Sequence, residues 1–362
     1  MDEWNELFSM DPGSFRITDD GRDWRIMMRK VLVTGGAGFM GSELVNQLAN
    51  RNFEVIIVDN LVNGRRENVE NFLSDRVQLV VADIRDSDRM GKLIQGMNII
   101  YHLACLGVRH SIHSPYENHE VNATATLKLL MLARAADVKR FVYISSSEVY
   151  GTAQWAPMSE EHPTNPMTVY GSSKLAGECY TLAFYRTYGF KSVVIRPFNI
   201  YGPRCHYEGD CAEVIPRFLL RCMAGRPMVI FGDGTQTRDF THVSDTARGI
   251  IMASLMDETV GETINLGSGL EVCINDLARE VAAVVGRPQA SIVYDDPRPG
   301  DVFRLKANTE KARRLLGFEP TTKLREGLTT LRDWYLSSGQ SPEVLLEREI
   351  VRNWEFQQDK KK

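Results

Sequence analysis

Apolar and polar positions alternate in blocks along the chain from Lys30 onward, and the blocks have the lengths of strands and helices in turn. Lys30 to Thr34 is a β-branched, apolar run suited to a buried strand, and Glu43 to Ala49 places Leu44, Val45 and Leu48 at helical spacing, so a helix is expected from about Ser42 to Asn50. Strands follow at 54–59, 77–81, 99–103 and 141–145, with a helix over 124–136 between the last two. Strands that are apolar along their whole length, separated by amphipathic helices and short turns, predict a parallel sheet covered on both faces. The expected fold class is therefore α/β, a Rossmann-type doubly wound parallel sheet with a smaller α/β substrate-binding domain. Later helical stretches start at Ile274 and run from Leu324 to Leu336.

The join between the first strand and first helix carries the first candidate chemistry, Gly35-Gly-Ala-Gly38-Phe39-Met40-Gly41. Gly35 suits a sharp turn, Gly38 a close backbone approach to a pyrophosphate, and Gly41 close packing of helix on strand. A pyrophosphate would sit on the helix N-terminus, where free N–H groups and the helix dipole favour an anion. The second strand ends at Asp59-Asn60, 18 positions after Gly41, where an acid can accept from the adenosine ribose hydroxyls. This favours NAD over NADP, although Arg65 and Arg66 follow closely. Asp83-Ile84, after the third strand, is placed for adenine, and the fourth strand exits through His102-Leu103-Ala104 toward Asn122. His102, His110 and His113 are further acid–base candidates near that exit.

Two later motifs hold stronger acid–base candidates. Ser145-Ser146-Ser147-Glu148-Val-Tyr-Gly151 leaves the fifth strand, and Tyr170-Gly-Ser-Ser-Lys174 opens a helix that puts Tyr170 and Lys174 on one face. A phenol is a poor base at neutral pH, and an ammonium beside it favours the phenolate.

Composition narrows the remaining classes. The 362 residues carry a net charge of minus four with both signs interspersed, which leaves no basic stripe for nucleic acid or an anionic membrane. No apolar run has the length of a membrane span, and residues 1–28 are too acidic for a signal or transit peptide, so a cytoplasmic protein is expected. The six cysteines form no CxxC pair and no zinc spacing with histidine, so reduced thiols and no metal are expected.

These ordered motifs, from Thr34–Gly41 through His102–Ala104, Ser145–Gly151 and Tyr170–Lys174 to Arg196-Pro-Phe-Asn199-Ile-Tyr-Gly-Pro203, resemble those of the extended short-chain dehydrogenases/reductases, in the NAD-dependent nucleotide-sugar epimerase and dehydratase group. The likeness spans about residues 29–345. It implies NAD as cofactor, with Tyr170 as the base for a sugar hydroxyl, Lys174 as its partner, and Ser146 or Ser147 bonded to the same hydroxyl. It implies substrate contacts from Arg109, Asn199, Arg238, Arg298 and Asp301, with Arg238 and Arg298 gripping a diphosphate through charge-assisted bonds. It also implies a homodimer through helices around 124–136 and 169–188.

The domain organisation expected is an extension at 1–28 and an NAD-binding domain at 29–195, to which 235–262 returns. A nucleotide-sugar domain is expected at 196–234 and 263–345, with a charged tail at 346–362. Members of this group share the oxidation of C4 to a ketone and then diverge. Dehydratases of the group carry Asp before Glu at the Glu148 position, where this chain has Ser147, which argues against 4,6-dehydration. The stretch Ser-Ser-Glu-Val-Tyr-Gly is similar to that of UDP-glucuronate decarboxylases, whereas the stretch Gly107 to Pro115 and Arg298-Pro-Gly-Asp-Val302 are closer to 4-epimerases. A 4-epimerase of a UDP-hexose or UDP-hexuronate is the leading expectation, with a decarboxylase or dehydratase using Glu148 at C5 or C6 as the alternative. Cys211, in the loop before Pro216, is a candidate proton donor at C5. A non-catalytic NAD-binding regulator and a net reductase are disfavoured by the intact Tyr170, Lys174 and serine set and by Asp59.

Overall fold

The computed structural model describes residues 30–209, 211–298 and 302–355. Residues 1–28, Asp301 and the end of the expected tail, 356–362, each the subject of an expectation above, lie outside them. The frame is a seven-stranded parallel sheet of β1 (Lys30–Thr34), β2 (Glu54–Asp59), β3 (Val77–Val81), β4 (Ile99–His102), β5 (Arg140–Ile144), β6 (Ser192–Pro197) and β11 (Thr263–Leu266). Its order is β11-β6-β5-β4-β1-β2-β3, so the direction of winding reverses between β1 and β4. Ligands of such sheets bind where the carboxyl ends of those two strands diverge.

Both faces of the sheet are covered, which is why its strands read as unbroken apolar runs. On β1, Val31 and Val33 pack in one core with α1 (Phe39–Asn50), while Leu32 packs in another with α2 (Ser87–Leu93), α3 (Ala125–Ala135) and α4 (Val169–Tyr188). A smaller layer sits beyond the carboxyl edge. Here α5 (Val214–Met223), α7 (Ile274–Val285) and α9 (Leu324–Ser337) share a separate apolar core with the parallel pair β8 (Met228–Phe231) and β13 (Ile292–Asp295). Between them in sequence, α6 (Val243–Leu255) returns to the large sheet.

Two boundaries differ from the sequence expectation. Residues 263–266 form β11, which pairs with β6 in register Thr263 to Val194, and α8 (Glu310–Leu316) buries Ala312 and Leu316 in the large core. The chain therefore crosses back to the large domain a second time, because β6 otherwise leaves an edge of unpaired backbone groups. Helix α1 begins at Phe39, three residues before the expected start, because Gly38 adopts the extended N-cap conformation and its carbonyl accepts from Ser42.

The segment after α9 also departs from expectation. In place of a charged tail, residues 346–355 form a strap against the small domain. Glu349 is buried between Arg221 (2.7 Å) and Arg217 (3.4 Å), Arg352 grips Asp295 through two bonds of 2.5 and 3.0 Å, and Trp354 meets Phe231 edge-on at 4.6 Å. Alternating charge hides this in the sequence, since each charged side chain has a partner distant along the chain. Among the described residues no helix is long and apolar enough to cross a membrane, and none of the six cysteines is in a disulfide.

Two stability measurements follow. A Cβ at Gly41 would lie 2.1 Å from the Gly35 carbonyl oxygen, whereas one at Gly91 would meet nothing nearer than Leu132 at 3.7 Å. Urea denaturation should show Gly41→Ala destabilised by about 1–3 kcal/mol or more, and Gly91→Ala unchanged or more stable. Glu349→Ala leaves two partly buried arginines without their shared carboxylate and should cost roughly 3 kcal/mol in the same assay.

Candidate active site

A cleft of about 590 Å³ opens above the diverging ends of β1 and β4, with the large sheet as its floor and the small domain as its far wall. Its first wall is the glycine turn. Gly35 takes the left-handed conformation (φ +70°), and a Cβ there would meet the Ala104 backbone at 2.7 Å, so the turn lies directly against the exit of β4. Gly38 lines the cleft, and a Cβ on it would touch only the Gly35 carbonyl oxygen, at 3.2 Å. Phe39, Met40 and Gly41 also line it, with the first-turn amides of α1 lacking intrahelical acceptors, which is the arrangement a pyrophosphate requires.

Asp59 lines the same end and is buried. Its two oxygens accept from the amides of Ala37 (3.0 Å) and Leu61 (2.9 Å), and burial raises its carboxyl above the usual range against the pull of those bonds. A carboxylate has about four acceptor positions, so room remains for a ribose diol. Asn60 donates to Asp83 (3.1 Å), and Arg85 holds the Asp83 carboxyl down at about 2. Ile84, Leu103 and Ala104 complete this half of the lining. Arg65, the residue that left room for NADP, is paired with Glu208 and lies over the Tyr207 ring.

Asn122 does not line the cleft. Expected among the cofactor contacts, it is buried, away from the cleft lining, where its side chain exchanges bonds with the Leu106 backbone (2.8 and 2.9 Å) and reaches Ser173 (3.1 Å). It ties the β4 exit loop to α4. His102 is likewise internal, held between Thr34 (2.7 Å) and Thr126 (2.8 Å), with burial lowering its pKa to about 3. His110 lines the cleft and meets Glu117 at 3.2 Å.

The reacting centre assembles from the end of β5 and the start of α4. Thr168 caps α4 by accepting from the Gly171 amide (3.1 Å), which sets Tyr170 and Lys174 in the first turns. The Ser146 hydroxyl, which accepts from the Glu148 amide at 3.2 Å, lies near enough to the Tyr170 phenol to favour its ionised form. Lys174 is buried and donates to the Ile144 carbonyl (2.8 Å), with its ammonium 5.3 Å above the Tyr143 ring. Ser147 and Glu148 line the cleft beside them. The sequence reading had Lys174 lowering the phenol's pKa. In the structure burial first, then Cys105, Glu148 and Glu213, push Tyr170 well above the usual phenol range, against the Ser146 hydroxyl.

The far wall holds Arg109, Asn199, Arg238 and Arg298. Arg109 donates to Asn353 of the strap (3.4 Å), Arg238 donates to the Thr237 carbonyl (2.8 Å), and the Arg298 guanidinium sits 5.6 Å from the Phe231 ring and 5.3 Å from that of Trp354. Ser145 Oγ and Asn199 Oδ1 are buried atoms of lining residues with no hydrogen-bond partner among the described residues. Unpaired buried polar atoms at a cleft surface fit a polar ligand that supplies their partners. Among the described residues no cluster of His, Cys, Asp and Glu suits a metal. Sequence reasoning did not single out Glu213, Cys105, His206 or Phe231, all of which line the cleft; each lies within or beside a stretch that drew attention for other residues, and which side chain of a loop turns inward leaves no periodicity to read. Cys211, singled out earlier, does line the cleft.

The known proteins that match share this architecture. Residues 32–331 match the family model for GDP-mannose 4,6 dehydratase. A putative UDP-glucose 4-epimerase of Methanocaldococcus jannaschii is 35% identical over 314 residues, covering 86% of this chain and all of the relative. The solved UDP-N-acetylglucosamine 4-epimerase of Methanobrevibacter ruminantium M1, in complex with UDP-N-acetylmuramic acid, superposes with a TM-score of 0.82 at 32% identity, over 86% of this chain and 99% of that one. MoeE5, solved with UDP-glucuronic acid and NAD, gives 0.75 at 36% identity over 85% and 99%. Matches of comparable identity are a UDP-glucuronic acid decarboxylase of Arabidopsis thaliana and a dTDP-glucose 4,6-dehydratase of Streptomyces venezuelae with NAD bound. With the glycine turn, the Tyr170–Lys174 pair and the arginine-lined far wall all opening on one cleft, the chain belongs to the GDP-mannose 4,6-dehydratase-like family of extended short-chain dehydrogenases/reductases, whose members include nucleotide-sugar epimerases, decarboxylases and dehydratases.

Proposed function

We propose that this chain is an NAD-dependent 4-epimerase of a UDP-hexose or UDP-hexuronate that works through a 4-keto sugar. The observation that carries the reading is the placement of Tyr170, Lys174 and Ser146 together in the cleft, next to a turn that offers Ser147 where a dehydrating member needs an acid. Gly35, Gly38, Phe39, Met40 and Gly41 would hold the pyrophosphate of NAD, Asp59 and Asn60 its adenosine ribose, Asp83 and Ile84 its adenine, and Leu103, Ala104, Tyr170 and Lys174 its nicotinamide half. When bound, NAD accepts the C4 hydride of the sugar and gives it back.

The chain's own residues move the proton. Tyr170 takes the proton of the C4 hydroxyl and later returns it, so it must act as phenolate. Burial opposes that state, and three groups oppose burial: two donors, the Ser146 hydroxyl and the Lys174 ammonium, which keeps two N–H groups after serving Ile144, and the positive charge that the oxidised cofactor would supply. Placing these donors in a dry pocket makes each worth more than in water. Asn199, Arg238, Arg298 and Asp301 would anchor the UDP diphosphate and ribose, with Arg109 nearer the sugar, leaving the ketone free to turn its other face to the hydride. Reduced thiols suit a cytoplasmic setting. Exposed Met131 on α3 and Tyr185 and Tyr188 on α4 support a homodimer through those helices, since apolar groups so placed gain from a partner surface.

A second reading has one observation behind it. Glu148 lines the cleft and acts on Tyr170, so a decarboxylase or dehydratase assisted at C5 or C6 by Glu148 remains the alternative. Purified protein incubated with UDP-glucose, UDP-galactose and UDP-glucuronate separates the two: epimerisation gives a product of unchanged mass and new retention, whereas loss of carbon dioxide or of water contradicts it. Tyr170→Phe should lower kcat by about 10²- to 10⁴-fold while keeping NAD bound and the melting temperature unchanged. Light scattering should find a dimer in the parent protein and a monomer in a Met131→Glu, Tyr188→Glu double variant.

A further inference from the structure

Glu213 is a cleft carboxyl that the reaction above leaves without a task. It occupies the N-cap position of α5, a place where a side chain ordinarily serves the helix, yet it makes no cap bond. Its backbone is pinned, the amide donating to His206 (3.1 Å) and the carbonyl accepting from Arg217 (3.3 Å), so the side chain is delivered into the cleft by a fixed main chain. Among the described residues the carboxyl has no hydrogen-bond partner, and it lies within electrostatic reach of Arg109 and of the Tyr170 phenol. Tyr170 marks where the reacting hydroxyl must sit, so Glu213 faces the sugar and not the nucleotide.

We propose that Glu213 is a specificity-determining residue that hydrogen-bonds a hydroxyl of the sugar and favours a neutral hexose over a hexuronate. The inference rests on the UDP-sugar reading above and narrows it. Its electrostatic basis is the company Glu213 keeps. Glu148 and Glu213 both act on Tyr170, so a uronate carboxylate would be a third acid in one small volume. The cations nearest Glu213 offer little relief: Arg217 and Arg221 are held by Glu349, and Arg109, within electrostatic reach of Glu213, donates to Asn353.

Burial pushes the Glu213 carboxyl up to about 8, with Arg109 pulling the other way, so it passes from neutral donor to anion across the neutral-to-alkaline range. The groups that act on it or bond its backbone are Arg109 from the short helix Val108–His113, Cys205 and His206 from its own loop, Arg217 one turn on, Tyr335 from α9, and Tyr170 across the cleft. Burial raises the Cys205 thiol and the Tyr335 and Tyr170 phenols and lowers His206, which keeps those four neutral over the same range. Exclusion of a uronate should therefore strengthen as pH rises.

The test is calorimetric binding of UDP, UDP-glucose and UDP-glucuronate to the full chain with saturating NAD, at pH 6.5 and pH 9, for the parent, Glu213→Gln and Glu213→Ala. UDP reports the nucleotide half of the cleft and the integrity of the fold, and should bind all three proteins within twofold. In the parent the ratio of Kd values, UDP-glucuronate over UDP-glucose, should rise at least tenfold between the two pH values. Glu213→Gln should hold that ratio constant while keeping UDP-glucose affinity, and Glu213→Ala should weaken UDP-glucose at least fivefold. A pH-independent ratio in the parent, UDP-glucose affinity unchanged in Glu213→Ala, or loss of UDP binding in Glu213→Gln would each overturn the assignment. If UDP fails to bind the parent, the UDP-sugar reading itself falls and this proposal with it. UDP binding with the wrong sugar pattern defeats the proposal alone.

Discussion

The contact on which the rest depends is the approach of Gly41 to the Gly35 carbonyl, so close that a single added carbon would lie 2.1 Å from the oxygen. It fixes the start of α1 over the carboxyl end of β1, and hence the place where an anion can meet unpaired amides. Gly35 in turn lies against Ala104, so the same turn sets the spacing between β1 and the exit of β4. The cleft exists because these backbones touch where side chains would have kept them apart, and the sheet reverses its winding at that point.

The second constraint is electrostatic. A phenol buried among carboxyls is a weak acid and, at rest, no base. The site resolves this by placing hydroxyl and ammonium donors on rigid elements, Ser146 at the end of β5 and Lys174 one turn along α4, and by leaving the last contribution to a charged cofactor. The same low-dielectric setting makes Glu213 respond to pH in a range where an exposed glutamate would not.

Much of this was legible in the residues because its causes are local. The β-branched runs, the glycine spacing, the acid at the end of β2 and the four-residue interval from Tyr170 to Lys174 each follow from short-range geometry, and the strands of the large sheet lie where the apolar blocks predict. What was not legible depends on partners far along the chain. Asn122 reads as a strand-exit contact until Leu106 and Ser173 take up its amide. The strap reads as a polar tail because Glu349, Arg352 and Asn353 find their partners at Arg221, Asp295 and Arg109. Residues 263–266 read as part of the small domain because strand pairing with β6 leaves no mark in local sequence. The partial burial of Glu213 is likewise a property of the folded loop, not of its neighbours in sequence.

The central claim is that a hydride leaves C4 of the sugar and returns to it without leaving the protein. Its most direct measurement uses UDP-glucose carrying deuterium at C4, incubated with the purified protein without added cofactor, followed by mass analysis of the separated product. The account predicts an epimer that keeps the deuterium at C4. Loss of the label to water would contradict it, because the hydrogen would then have left C4 as a proton and the Tyr170 centre would be running a different reaction.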